Sequence, residues 1–105
     1  MREKLVGYSL DILHRDGGPK ARGFERILGI TIEDVDYLEA EILTGILTEP
    51  VGAVRDRPPY GIHCEVRVAI RGLGDKSDRL VEATTGWEFA FPDAPPRMTT
   101  AYLKP

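Results

Sequence analysis

The chain has 105 residues, 42% hydrophobic and 30% charged, a composition that excludes a disordered chain and leaves room for one modest core. Its formal net charge of −3 argues against broad, nonspecific nucleic-acid binding, while leaving room for a small basic cleft on an acidic body. A lone cysteine, Cys64, excludes an internal disulfide, two distant histidines give no zinc spacing, and no apolar run reaches membrane length.

Residues 1–13 run from Arg2-Glu3-Lys4 through Leu5-Val6-Gly7-Tyr8-Ser9-Leu10 and read as a short strand or an extended arm, anchored by Leu10, Ile12 and Leu13. His14 follows, and then Asp16-Gly17-Gly18-Pro19-Lys20-Ala21-Arg22, the densest local chemistry in the chain. Pro19 suits a first helical turn, which places Gly18 near the N-cap. Free N–H groups there, with Lys20 and Arg22 in the first turn, form a candidate anion site. An ordinary helix start has the same appearance. His14 beside it is a candidate proton carrier, although a histidine next to a turn is more often a capping or surface residue.

Pro19 to Leu28 reads as a helix, because Ala21, Phe24, Ile27 and Leu28 recur at helical spacing, and Gly29 is a suitable stop. A second helix starts at Thr31, with Asp34 positioned to close a capping box and Val35, Leu38, Ile42 and Ile46 as its apolar stripe. Its acidic residues read as a solvated, well-capped start, with Glu39 and Glu41 facing water, and Gly45 weakens its last turn. Glu49 to Arg55 holds a short edge strand, and Asp56 to Gly61 is a loop.

The period then changes to two. Ile62, Cys64, Val66, Val68 and Ile70 alternate with polar residues, which makes Cys64 a core residue and His63 exposed. After a turn over residues 72–78, Val81, Ala83, Thr85, Trp87, Phe89 and Phe91 form the next alternating face, with Gly86 as a candidate bulge. Residues 92–96 make a loop. Arg97 to Leu103 is a last strand, with Met98, Thr100 and Tyr102 on one side. The expected fold is α+β: two N-terminal helices packed on one face of a three- to four-stranded antiparallel sheet, forming a single domain over residues 1–105.

Gly17-Gly18-Pro19-Lys20-Ala21-Arg22 with Phe24, Leu28 and Gly29, then Tyr60-Gly61, Thr85-Gly86-Trp87 and Pro96-Arg97-Met98-Thr99-Thr100-Ala101-Tyr102, resembles an uncharacterised family of small bacterial domains. Such domains occur alone and at the ends of polymorphic toxins, and the family is similar to the barnase–EndoU–colicin–RelE-like ribonuclease group. The segment from Leu10 to His14 lacks that family's Asn-Pro-Asp flavour, and the loop from Gly72 to Arg79 lacks its Asn-Gly. The resemblance implies a toxin-like, metal-independent ribonuclease, a hydrolase that cleaves RNA, tRNA among its candidate substrates, by 2′-OH attack.

That chemistry needs a base, an acid for the leaving oxygen, and positive charge or N–H donors for the phosphorus-centred negative charge. The resemblance points to Lys20, Tyr102, Thr85, Thr100 and His14 as catalytic candidates, the first four converging on one open cleft, with His63 as a further acid or base. Gly17, Gly18, Arg22 and Arg97 are the substrate-binding candidates, and Tyr60 is a candidate for base stacking. The expected partners are RNA and a protein such as an immunity protein, with no cofactor, metal or membrane and with a cytoplasmic location. The alternative is a non-catalytic protein-interaction domain on the same scaffold, using its sheet face or a sheet edge.

Overall fold

The computed structural model describes residues 1–56 and 61–104. Three helical segments precede the sheet, one more than the sequence pattern suggests. Helix α1 (Arg2–Lys4) continues as a π-helical turn over Leu5–Ser9. This replaces the strand or arm expected for residues 1–13. The physical reason is packing: Leu5 and Ser9, one helical turn apart, are fully buried, and Leu10 is buried beside them.

Helix α2 (Gly18–Gly23) likewise continues as a π-helical turn over Phe24–Leu28. Ala21, Phe24 and Leu28 are its buried face, as their spacing dictates. Gly29 ends it with φ 67°, a left-handed conformation that favours glycine, while Ile30 N–H donates to the Phe24 carbonyl. A 3-10 turn (Ile32–Asp34) then leads into helix α3 (Val35–Thr48). The capping box forms as expected: Thr31 Oγ1 accepts from Glu33 N–H at 3.3 Å, and Asp34 accepts from Thr31 N–H at 2.9 Å. Glu39, expected to face water, accepts from Arg2 at 3.3 Å, and Asp36 pairs with the same guanidinium, so α1 is tied to α3.

Four strands follow in a sequential antiparallel meander, β1 (Val51–Asp56), β2 (Ile62–Arg71), β3 (Leu80–Phe89) and β4 (Arg97–Leu103), lying in the order β1-β2-β3-β4. The β2–β3 register is unbroken, with Cys64 opposite Trp87, Val66 opposite Thr85 and Val68 opposite Ala83. These residues, with Ile70, Met98, Ala101 and Leu103, form the sheet's core face, closed by Phe24, Leu28, Leu38 and Ile42 from the helices. The bulge expected at Gly86 lies across from it, in β4. Gly86 pairs with Thr100 and Trp87 with Met98, so Thr99 is the extra residue. The bulge also separates three residues expected on one side of β4. Met98 joins the core opposite Trp87, while Thr100 and Tyr102, opposite Gly86 and Thr84, lie on the outer face.

Helix α3 covers the core face at β2. The α1–α2 region covers β4, where Ser9 Oγ accepts from the outward Ala101 N–H at 3.3 Å, so the free edge of β4 is partly satisfied by a side chain. This arrangement brings α1 and α2 to the β4 edge of the sheet, from which the Lys20 side chain reaches Thr100 on the outer face. No helix among the described residues is long and apolar enough to cross a membrane.

Candidate functional site

The site begins at the turn before α2. His14 Nδ1 accepts hydrogen bonds from both Asp16 N–H and Gly17 N–H at 3.0 Å, and the His14 carbonyl accepts from Gly18 N–H at 2.7 Å. The donors expected to face an anion are therefore taken up by His14, which acts as a cap. With Nδ1 accepting, the neutral ring carries its proton on Nε2. Gly17 and Gly18 are positions of close packing. Both are buried, and a Cβ on Gly17 would stand 2.0 Å from the Tyr8 carbonyl oxygen, one on Gly18 2.9 Å from that of Ile12. Arg22 is exposed two residues beyond Lys20, a spacing that sends the two cations to different sides of the helix.

Lys20 points to the outer face of β4. Its ammonium donates to Thr100 Oγ1 at 3.1 Å and to the Tyr8 hydroxyl. It lies 4.3 Å from the Tyr8 ring centroid and 5.6 Å from that of Tyr102. Lys20 is half-buried and pairs with no carboxylate among the described residues. Lys4 Nζ lies over the same Tyr8 ring at 4.8 Å, and the His14 ring meets it edge-on at 5.0 Å. Each cation gains from the ring's quadrupole, but two ammonium groups on one ring repel each other, and an anion placed there relieves both.

Beside this cluster opens a cleft of about 570 Å³, lined among others by Lys4, Tyr8, His14, Arg97 and Thr99. Arg97 stands on its rim, 78% exposed, and pairs with Glu88 at 3.6 Å. Thr99 Oγ1 is buried with no hydrogen-bond partner among the described residues. His63 comes to the same region from the neighbouring strand: its Cε1 and Thr99 Oγ1 lie 3.4 and 2.8 Å from where a Gly86 Cβ would stand. It is half-buried, not exposed as the alternation suggests.

Thr85 lies apart from this group, which corrects its expected place on the cleft. It is fully buried on the core face, donating to the Val66 carbonyl at 2.7 Å and accepting from Trp87 Nε1 at 2.8 Å. Its hydroxyl is thus occupied on both sides, supporting the buried indole. Cys64 packs beside it, and burial pushes its thiol up from the ordinary value, so it is a poor nucleophile. Tyr60 lies outside the described residues.

The structure thus brings Lys20, Thr100, Tyr102, His14 and Arg97 to one region and leaves Thr85 and Arg22 outside it. It adds Tyr8 and Lys4, which sequence reasoning passed over by treating residues 1–13 as extended. The available signal was their spacing: residues 4 and 8 share a helix face.

The whole chain, residues 1–105, matches the model of the DUF6883 domain, a domain of unknown function, and the chain belongs to that family. No curated protein and no solved structure matches it.

Proposed function

We propose that this member of the DUF6883 family binds RNA at the cleft beside β4 and cleaves it without a metal, by attack of a 2′-OH on the adjacent phosphate. The observation that carries the reading is Lys20: a half-buried ammonium fixed by Tyr8 and Thr100, with no counter-ion among the described residues. Partly burying an unpaired charge is unfavourable, and a phosphate in the neighbouring cleft offsets that cost while gaining from Lys4 and Arg97, which line it together with Glu3. The resemblance of the Gly17–Arg22 and Pro96–Tyr102 motifs to a toxin-like ribonuclease group supports the same reading. In its terms Lys4 meets the phosphate, Lys20 supplies positive charge from behind the Tyr8 hydroxyl, and Thr100 positions Lys20. Tyr102, beside Lys20 and outside the cleft lining, offers a ring for a base that extends beyond the cleft, and Arg97 a second phosphate contact. The substrate is then cytoplasmic RNA, tRNA included, and an acidic immunity-type protein is the partner that would block the cleft.

The test is cleavage of total tRNA and rRNA by purified protein in EDTA, beside Lys20→Ala and Tyr102→Ala. Wild-type cleavage that falls about 100-fold or more in Lys20→Ala, with unchanged circular dichroism, is the expected result. A wild-type protein that leaves RNA intact favours the second reading, a protein-interaction domain. One observation supports that reading: β1 is an edge strand with Val51 and Val54 53% and 65% exposed, beside Leu47 of α3 at 85%.

A further inference from the structure

We infer that Tyr8 is the general acid of this site, the group that protonates the leaving oxygen, and that Lys20 acts through it. The inference rests on the ribonuclease reading above. The cleft is lined by Tyr8 but not by Lys20 or Thr100, so Tyr8 is the member of the hydrogen-bonded chain that a bound phosphodiester meets. The Tyr8 oxygen accepts from the Lys20 ammonium, and among the described residues its own hydrogen goes to no other group. A phenol that accepts one hydrogen bond still has its O–H to donate. The ring is fixed on several sides: His14 meets it edge-on at 85°, and Lys4 and Lys20 lie 4.8 and 4.3 Å from its centroid.

The other candidate acids of the site fit less well. His14 Nδ1 is committed to the turn, accepting from Asp16 and Gly17. Tyr102 approaches Lys20 through its ring, 5.6 Å from the ammonium, and does not line the cleft.

The 2′ oxygen forms its bond to phosphorus and gives its proton to solvent water. The P–O5′ bond breaks, O5′ takes the Tyr8 hydrogen, and the products are a 2′,3′-cyclic phosphate and a 5′-hydroxyl. The phenolate left on Tyr8 is neutralised by the ammonium already in contact with it, and a solvent proton restores the phenol.

The experiment is single-turnover cleavage, in EDTA, of a single-stranded oligoribonucleotide with one scissile linkage, made in two forms. One form has the natural 5′ oxygen; the other has sulfur at that bridging position, which leaves as a thiolate and needs no acid. Tyr8→Phe keeps the ring on which Lys4, Lys20 and His14 rest, and circular dichroism checks its fold. The expected result is a loss of about 10²–10⁴-fold on the oxygen substrate, with a rate on the sulfur substrate within about tenfold of wild type. A Tyr8→Phe protein as fast as wild type on the oxygen substrate, while Lys20→Ala is inactive, overturns the assignment and leaves the ribonuclease reading standing. Equal losses on both substrates make Tyr8 a positioning residue and also overturn it. A wild-type protein inert on both substrates overturns the reading and the inference together.

Discussion

At Gly45 two rules give opposite forecasts. In an isolated helix, alanine is favoured over glycine by about 1 kcal/mol. In this fold α3 lies so close to β2 that a Cβ on Gly45 would stand 2.1 Å from Val68 Cγ1. Overpacking wins, and Gly45→Ala is expected to destabilise the protein by about 1–3 kcal/mol in urea unfolding, with partial recovery when Val68→Ala is added. Thr85→Val tests a second buried residue. It removes the acceptor of Trp87 Nε1 and the donor to the Val66 carbonyl, at a cost of about 1–3 kcal/mol in urea unfolding. Lys20→Met behaves in the opposite way. Its stem keeps the packing while the unpaired charge goes, so thermal stability holds or rises, and the cleavage proposed above is lost. The face of Thr85 was legible in the sequence, because strand alternation puts it with Ala83 and Trp87, both buried. Its expected role came from the resemblance, which carries no information on which side of the sheet a hydroxyl falls. Lys20 was legible as the cation after the glycines. Its partners were not, because Tyr8 and Thr100 meet it only through tertiary contacts.

Among the elements, those with local signals are legible in the sequence. The capping box of α3, the glycine stop of α2 and the unbroken period of β2 each depend on residues within one or two turns. Helix α1 lacks such signals: it has Gly7 near its middle and no side-chain cap, and it is held by burial of Leu5 and Ser9. The bulge was foreseen at Gly86 but lies in β4, since a glycine marks where backbones approach and not which strand carries the extra residue. The start of α2 depends on His14, whose Nδ1 takes the place of an Asx-type oxygen two and three residues ahead of the donors. His14→Ala is therefore expected to cost about 0.5–2 kcal/mol, while His14→Asn retains most of the stability. Amide hydrogen exchange at Asp16 and Gly17 reads the effect directly, with faster exchange in the alanine variant alone.

For the whole molecule, Cys64 reports on opening. Its buried thiol should resist a thiol reagent in the native protein and react at once in urea, so the labelling rate follows the population of open molecules. Burial also pushes the Tyr37 phenol up, and Tyr37 donates to the Arg71 carbonyl at 2.6 Å. For both acids the folded state favours the neutral form. Their contribution to stability is complete below the ordinary values and is lost as pH rises through the raised ones. The urea midpoint should stay level near neutrality and fall above about pH 8.5, where an ordinary thiol begins to ionise, and Cys64→Ala should flatten the first part of that fall. A last consequence follows from the hydrogen bond between Lys20 and Thr100, whose residues lie 80 positions apart. During synthesis Tyr8, His14 and Lys20 leave the ribosome early and wait for β4, which alone supplies Thr100 and Tyr102. Until that strand is docked the cluster is not assembled, so its formation reports completion of the sheet and not of the helices alone.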